Sequence, residues 1–168
     1  TLAVVDQLTD GPIVAVGSSM GGWQSLLLAR ERPDRVAGLV TIAAAPDFTE
    51  DGYWAGFSED QKAELQREGQ VSIPSEYDED YVITKHLIEE GRNNLVLRSP
   101  LRLAMPVRFL QGTEDTAVPT SQAVKLLEHA EGDDIRLTLV KGADHRFSDR
   151  ECLDLIQKMT LVVIKRAG

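Results

Sequence analysis

Apolar positions along this chain fall into short β-branched runs that alternate with stretches of helical spacing. Ile13-Val14-Ala15-Val16 runs straight into Gly17-Ser18-Ser19-Met20-Gly21, and a helical pattern follows through Leu26-Leu27-Leu28-Ala29. This predicts a strand over 12–17 and a helix over 20–32, closed by Pro33, which cannot sit inside a helix. Ahead of them, Leu2 to Leu8 reads as the tail of an amphipathic helix. Val36 to Ala43 predicts a second strand, apolar on both faces as in parallel sheets covered by helices. Further on, the pattern predicts a strand at 107–110, a helix from Val118 to Ala130 with Pro119 in its first turn, a strand at 135–140 and a closing helix from Arg150 to Lys165. Two more helical patterns lie near 58–69 and 80–94, joined by Ser72-Ile73-Pro74-Ser75. Alternating strands and helices predict an α/β architecture, a mostly parallel sheet with helices on both faces.

Composition sharpens this picture in the middle of the chain. Residues 49–100 hold 12 acidic and 5 basic residues, most of the excess behind the net charge of −9 over 168 residues. Six of the nine aromatic residues, Phe48, Tyr53, Trp54, Phe57, Tyr77 and Tyr81, cluster between 48 and 81. Together these features predict a helical cap over 49–100 inserted between core segments 1–48 and 101–168. Trp54 and Phe57 are then expected to line a substrate pocket. The alternative is a small satellite core in which the aromatics only hold helices together. No basic stripe exists, so nucleic acid and anionic membrane are poor partner classes. No apolar run reaches membrane-spanning length. Cys152 is the only cysteine, which excludes a disulfide framework and a thiolate metal site.

The candidate chemistry starts at Gly17-x-Ser19-x-Gly21. A strand turning sharply into a helix with serine at the corner is a nucleophile elbow, and Gly17 and Gly21 are expected to let the helix approach the strand. Ser18 sits one place early, and its side chain should point the other way. Serine needs a base, and the base needs an acidic orienter. Of three histidines, His86 and His129 lie within helical patterns and read as solvated. His145 lies in the loop after the last strand, where the chain order Ser…Asp…His requires the base. Asp115, after the strand at 107–110, is the favoured acid. Asp47 after the second strand, Glu114 and Asp144 are the alternatives. Met20 would offer its backbone N–H to the oxyanion. No metal or other cofactor is required.

These segments resemble the α/β-hydrolase superfamily. Gly17-Ser18-Ser19-Met20-Gly21-Gly22-Trp23, Gln111-Gly112-Thr113-Glu114-Asp115 and Asp144-His145-Arg146 are similar to its three catalytic segments. The likeness extends over nearly the whole chain to the abhydrolase-domain-containing protein 10 group, palmitoyl-protein thioesterases and acyl-glucuronide esterases with bacterial relatives. Ser72-Ile73-Pro74-Ser75-Glu76-Tyr77 and Ser99-Pro100-Leu101-Arg102-Leu103 resemble that group's cap and its exit. The group commonly has histidine where Gln111 stands. The resemblance implies an α/β-hydrolase fold whose first strands, and the loop with a second oxyanion donor, are expected to precede Thr1. The segment alone is therefore expected to be poorly soluble and nearly inactive.

The implied activity is hydrolysis of carboxylic esters or thioesters of small or acylated substrates, with Arg146 placed to pair a substrate carboxylate. A C–C bond hydrolase on the same fold and a non-catalytic scaffold are the competing readings. The implied location is the cytoplasm for a bacterial source and the mitochondrial matrix for a eukaryotic one. Oligomeric state is left open.

Overall fold

The computed structural model describes residues 1–74 and 80–168. Ser75, Glu76 and Tyr77 of the cap-like motif lie outside the described residues. The chain divides into two units, Thr1–Pro46 with Val96–Gly168, and Asp47–Leu95.

The first unit is built on four parallel strands in the order β1 (Ile13–Ser18), β2 (Val36–Ile42), β6 (Val107–Gly112) and β8 (Ile135–Val140). All four strand predictions correspond to these elements within a few residues. The central strands β2 and β6 are almost wholly buried, which accounts for the apolar run of β2; β6 also buries Arg108 and Gln111. Strand residues alternate between faces. Val40 and Ile42 join Leu110, Phe147 and Val163 in one core, beneath helix α6 (Arg150–Ala167). Gly38 shares that face, and a Cβ there would collide with Val163. Leu39, Thr41 and Phe109 lie on the opposite face, and helix α2 (Met20–Glu31) packs on that side of β1 and β2. The remaining elements of this unit are α1 (Leu2–Leu8), α5 (Thr120–His129) and a two-residue parallel pairing of β5 (Leu101–Arg102) with β7 (Ala130–Glu131). At one edge of the sheet, β1 is only partly covered, and Val16 is 47% exposed.

Helix α5 starts later than the apolar pattern suggests. Pro119 is its N-cap, one place outside the first turn. The amide of Val118 is already used, donating to the Asp115 carboxylate at 2.8 Å, so the chain there is a turn.

The second unit is not purely helical. A π-helical segment, Thr49–Trp54, leads to α3 (Glu59–Glu68), an antiparallel hairpin of β3 (Gln70–Ile73) and β4 (Tyr81–Thr84), and α4 (Lys85–Asn93). The helix predicted over 80–94 thus begins as a strand. Tyr81-Val82-Ile83-Thr84 is aromatic and β-branched, a composition that suits a pleated surface, and Thr84 caps α4 by accepting the Leu87 amide at 3.1 Å. A Ser58–Gln61 capping box starts α3, and Gly69 at φ 77° ends it. Phe57, Leu65, Val71, Ile83 and Ile88 form this unit's own core.

At the amino ends of the strands, buried Arg108 on β6 binds the Asp134 carboxylate and its main-chain carbonyl. Arg166 at the end of α6 reaches the same carboxylate at 2.5 Å. Arg108 beside it, with Arg166, holds the Asp134 carboxyl below the ordinary carboxylate range. Such a group stabilises the fold fully above its unfolded-state pKa, and that stabilisation is lost as pH falls through the lowered folded value. Asp134→Ala would leave the Arg108 guanidinium buried without its counter-charge. The expected loss is on the order of 3 kcal/mol in urea titrations at neutral pH. Asp134→Asn should also flatten the fall in stability below about pH 4, measured against the unsubstituted chain.

Candidate active site

Ser19 stands between the end of β1 and the first turn of α2, at φ 53° and ψ −118°. A non-glycine residue at positive φ is strained, and it persists only where its surroundings over-determine it. Here they do. The Ser19 amide donates to Ile42 O at the end of β2 at 2.8 Å. Its carbonyl accepts from the amides of Gly22, Trp23 and Ala45 at 3.0–3.3 Å. Strand β2, the loop after it and helix α2 therefore all fix one residue.

The tight glycine contacts differ in part from the expected pair. Gly17 is required, because a Cβ there would collide with Gly21 O and stand 2.5 Å from Ser25 Oγ. A Cβ on Gly21 meets nothing within 4 Å. The second close approach belongs to Gly22, where a Cβ would lie 2.7 Å from that of Ala44. The motif glycine at 21 is free of this packing demand, and its neighbour carries it.

The loops that carry Asp115 and His145 follow β6 and β8 at the same carboxyl edge of the sheet. They are laced together: Thr113 N donates to Val140 O, Glu114 N to Ala143 O and Gly142 N to Thr113 Oγ1, each within 3.0 Å. Gly112 permits the approach, since a Cβ there would collide with Ala143 O. Asp144 accepts the Phe147 amide at 3.1 Å, closing a turn around His145. Phe147, at φ 51°, buries its ring in the α6-side core and so pins the loop.

His145 Nε2 stands 3.1 Å from Ser19 Oγ. His145 Nδ1 stands 2.9 and 3.1 Å from the two oxygens of Asp115. An ionised carboxylate only accepts, so Nδ1 carries the proton and Nε2 is left to accept from the Ser19 hydroxyl. The Asp115 side chain is fully buried and that of His145 is 30% exposed. Asp115 Oδ1 also accepts the amides of Ala117 and Val118 at 2.9 and 2.8 Å, and Oδ2 accepts Gln111 Nε2 at 2.9 Å.

The other candidates lie elsewhere. The hydroxyl that meets the imidazole is Ser19's, with exposed Ser18 one place earlier on β1. His86 is exposed on α4. His129 was expected to be solvated, yet it is half-buried and bonds Ser99 O through Nε2 at 2.8 Å. Asp144 is engaged with Phe147, Glu114 is exposed, and Asp47 is wholly buried at φ 58°. Met20 is the first residue of α2, so its amide has no acceptor within the helix. Burial and Asp149 push the Cys152 thiol up to about 12, which removes it as a nucleophile. Arg146 is exposed beside His145. Trp54 belongs to the second unit, where the Arg92 guanidinium lies 4.5 Å and the Lys62 ammonium 5.6 Å from its ring centre. Phe57 is buried in that unit's core. Among the described residues no cluster of His, Cys, Asp and Glu could hold a metal ion, and no helix is long and apolar enough to cross a membrane.

Sequence reasoning missed Gln111, Gly22 and Phe147. Glutamine at the end of the strand run Val107-Arg108-Phe109-Leu110, where the resembled group commonly has histidine, was the available signal for the first. For Gly22, the doubled Gly21-Gly22 left the choice between them open.

Comparison with known proteins places this geometry. The profile of the alpha/beta hydrolase fold matches residues 1–85. The chain is 33% identical to the mitochondrial palmitoyl-protein thioesterase ABHD10 of Mus musculus over 96% of its own length and 58% of that protein's. It thus spans little more than half the length of this curated relative. The solved structure of alpha/beta hydrolase domain-containing protein 10 from mouse superposes with a TM-score of 0.85 at 29% identity, over 98% of this chain and 66% of that one. Est1E from Butyrivibrio proteoclasticus, solved with ferulic acid, shares the fold at a TM-score of 0.74 and 19% identity, over 98% of this chain and 65% of that one.

The elbow geometry makes a testable statement about packing. Gly17→Ala should cost on the order of 3 kcal/mol or more, and Gly22→Ala about 1–3 kcal/mol, through overpacking. Gly21→Ala should leave stability within about 1 kcal/mol of the parent. Urea denaturation of the three variants checks the order.

Proposed function

We propose, from the premise that this chain belongs to the alpha/beta hydrolase family, that it carries the serine machinery of an ester or thioester hydrolase working through an acyl-enzyme. The observation that carries the proposal is the bridging position of His145. One ring nitrogen is 3.1 Å from Ser19 Oγ and the other is held by the buried Asp115.

In this reading His145 Nε2 takes the hydroxyl proton as Ser19 Oγ bonds to the acyl carbon. Asp115 fixes the tautomer and stabilises the imidazolium that forms. Charge develops on the former carbonyl oxygen. The Met20 amide, at the positive end of α2, is the proposed donor to it. His145 then gives its proton to the departing alcohol or thiol, which leaves with the bond electrons. Water attacks the acyl-enzyme, His145 takes its proton, and the acid is released with Ser19 regenerated.

The relative's name supports long-chain acyl thioesters on proteins as the first substrate class to try. Acyl glucuronides are the second, with Arg146 beside the base proposed to pair the sugar carboxylate. Phe57, buried with Leu65, Val71, Ile83 and Ile88, is a packing residue, whereas an acyl-binding role for Trp54 is a further proposal. A shift in acyl-length preference in Trp54→Ala without a drop in melting temperature supports it, and the reverse returns Trp54 to a packing role. The relative's mitochondrial address is the proposal for a eukaryotic source, and the cytoplasm for a bacterial one.

The test is steady-state hydrolysis of p-nitrophenyl esters, acyl-cysteine thioesters and acyl glucuronides by the full chain. Ser19→Ala should lower kcat/KM by about a thousandfold or more, and Asp115→Asn by about ten-thousandfold. Asp144→Asn, Glu114→Gln and Asp47→Asn should each retain activity within about tenfold. Undiminished turnover in Ser19→Ala would remove the serine from the mechanism.

A further inference from the structure

We propose that Gln111 is a positioning residue, whose side-chain amide sets the Asp115 carboxylate in the orientation that His145 requires. The proposal rests on the serine-hydrolase reading of the same site. Gln111 is the second-last residue of β6 and is 1% exposed. Its Nε2 faces three acceptors: Asp115 Oδ2 at 2.9 Å, Val118 O at 3.0 Å and Gly112 O at 3.3 Å. All three only accept, so the amide has one sensible orientation, nitrogen toward the acid loop. Its two protons then serve the two nearest acceptors, which lie at the two ends of the turn 115–118.

The same amide leaves Gln111 Oε1 buried without a hydrogen-bond partner among the described residues. Burying a polar atom without a partner destabilises; elsewhere on β6, Val107, Phe109 and Leu110 are apolar and the buried Arg108 is paired with Asp134. Packing alone does not account for glutamine here. Its donor function does.

The geometry says what that donor achieves. A carboxylate turns easily about its last torsion, which has broad minima. The Ala117 and Val118 amides hold Oδ1, and Gln111 holds Oδ2. With both oxygens fixed, the carboxylate offers both to Nδ1, at 3.1 and 2.9 Å. Without Gln111, only one oxygen is anchored apart from the imidazole itself. The ring loses its fixed direction, and with it the alignment of Nε2 on Ser19. Because Gln111 never touches the reacting atoms, its removal should lower kcat and leave KM nearly unchanged.

The test measures the rate at which a fluorophosphonate labels Ser19 as a function of pH, in the full chain and in Gln111→Met, Gln111→Glu and Asp115→Asn, with melting temperatures and ester kinetics beside it. Gln111→Met should label at least tenfold more slowly at neutral pH, with kcat reduced and KM within about twofold. Gln111→Glu keeps the shape if the methionine variant fails to fold. Two carboxyl groups sharing this buried site cannot both ionise readily, so one holds a proton at neutral pH and replaces the amide donor. Its labelling should therefore stay near the parent rate at neutral pH and decline at alkaline pH, where the parent does not. Parent-like rates and pH profiles in both variants, with Asp115→Asn crippled, would overturn the role of Gln111 while leaving the serine-hydrolase reading in place. Absence of labelling in the unsubstituted chain would instead bring down that reading, and this proposal with it.

Discussion

The structure turns on one backbone conformation, that of Ser19 at φ 53°. A serine does not hold this conformation unaided. It is held because strand β2 receives its amide, while helix α2 and the loop after β2 donate to its carbonyl. Gly17 and Gly22 let those elements close to the necessary distance. The parallel pairing of β1 with β2 thus serves the site as directly as it serves the core. Separating the two strands would break the Ser19 amide's bond to Ile42 O and release the turn.

The placement of His145 and Asp115 depends on a second lacing at the same edge. The loops after β6 and β8 share three hydrogen bonds, and Phe147 plugs the latter loop into the core. The imidazole therefore rests on packed structure, although its own side chain is partly open to solvent. At the other end of the strands, Asp134 gathers Arg108, Arg136 and Arg166. The two ends of one sheet differ: charge pairs at the amino ends, hydrogen-bonded loops and the candidate site at the carboxyl ends.

Much of this was legible in the sequence, for physical reasons. The four strands could be read because apolar residues crowd them, on both faces in β2 and on alternate positions in β8. The convergence of Ser19, Asp115 and His145 could be read because each follows such a strand, in an order the fold imposes. Side-chain traffic inside the loops was not legible. The apolar pattern carried α5 back to Val118, but the Asp115 carboxylate takes that amide. Gly21 looked like the packing glycine because it completes the motif, whereas the neighbour that matters, Ala44, arrives from a different element. The helical spacing at 80–94 hid β4, because Tyr81-Val82-Ile83-Thr84 satisfies a helix face as well as a hairpin, and only its pairing with Gln70–Ile73 decides. Gln111 stood out as polar, but what it binds is four residues away around a turn.

The central claim is that Ser19 becomes acylated during turnover. It is tested most directly by mixing the full chain with a p-nitrophenyl ester, quenching in acid on the millisecond scale and mapping the acyl group by peptide mass spectrometry. The account predicts an acyl mass on the peptide carrying Ser19, formed before the steady state and absent in Ser19→Ala. Sustained hydrolysis with no adduct at Ser19, or with the acyl group on another residue, would contradict it.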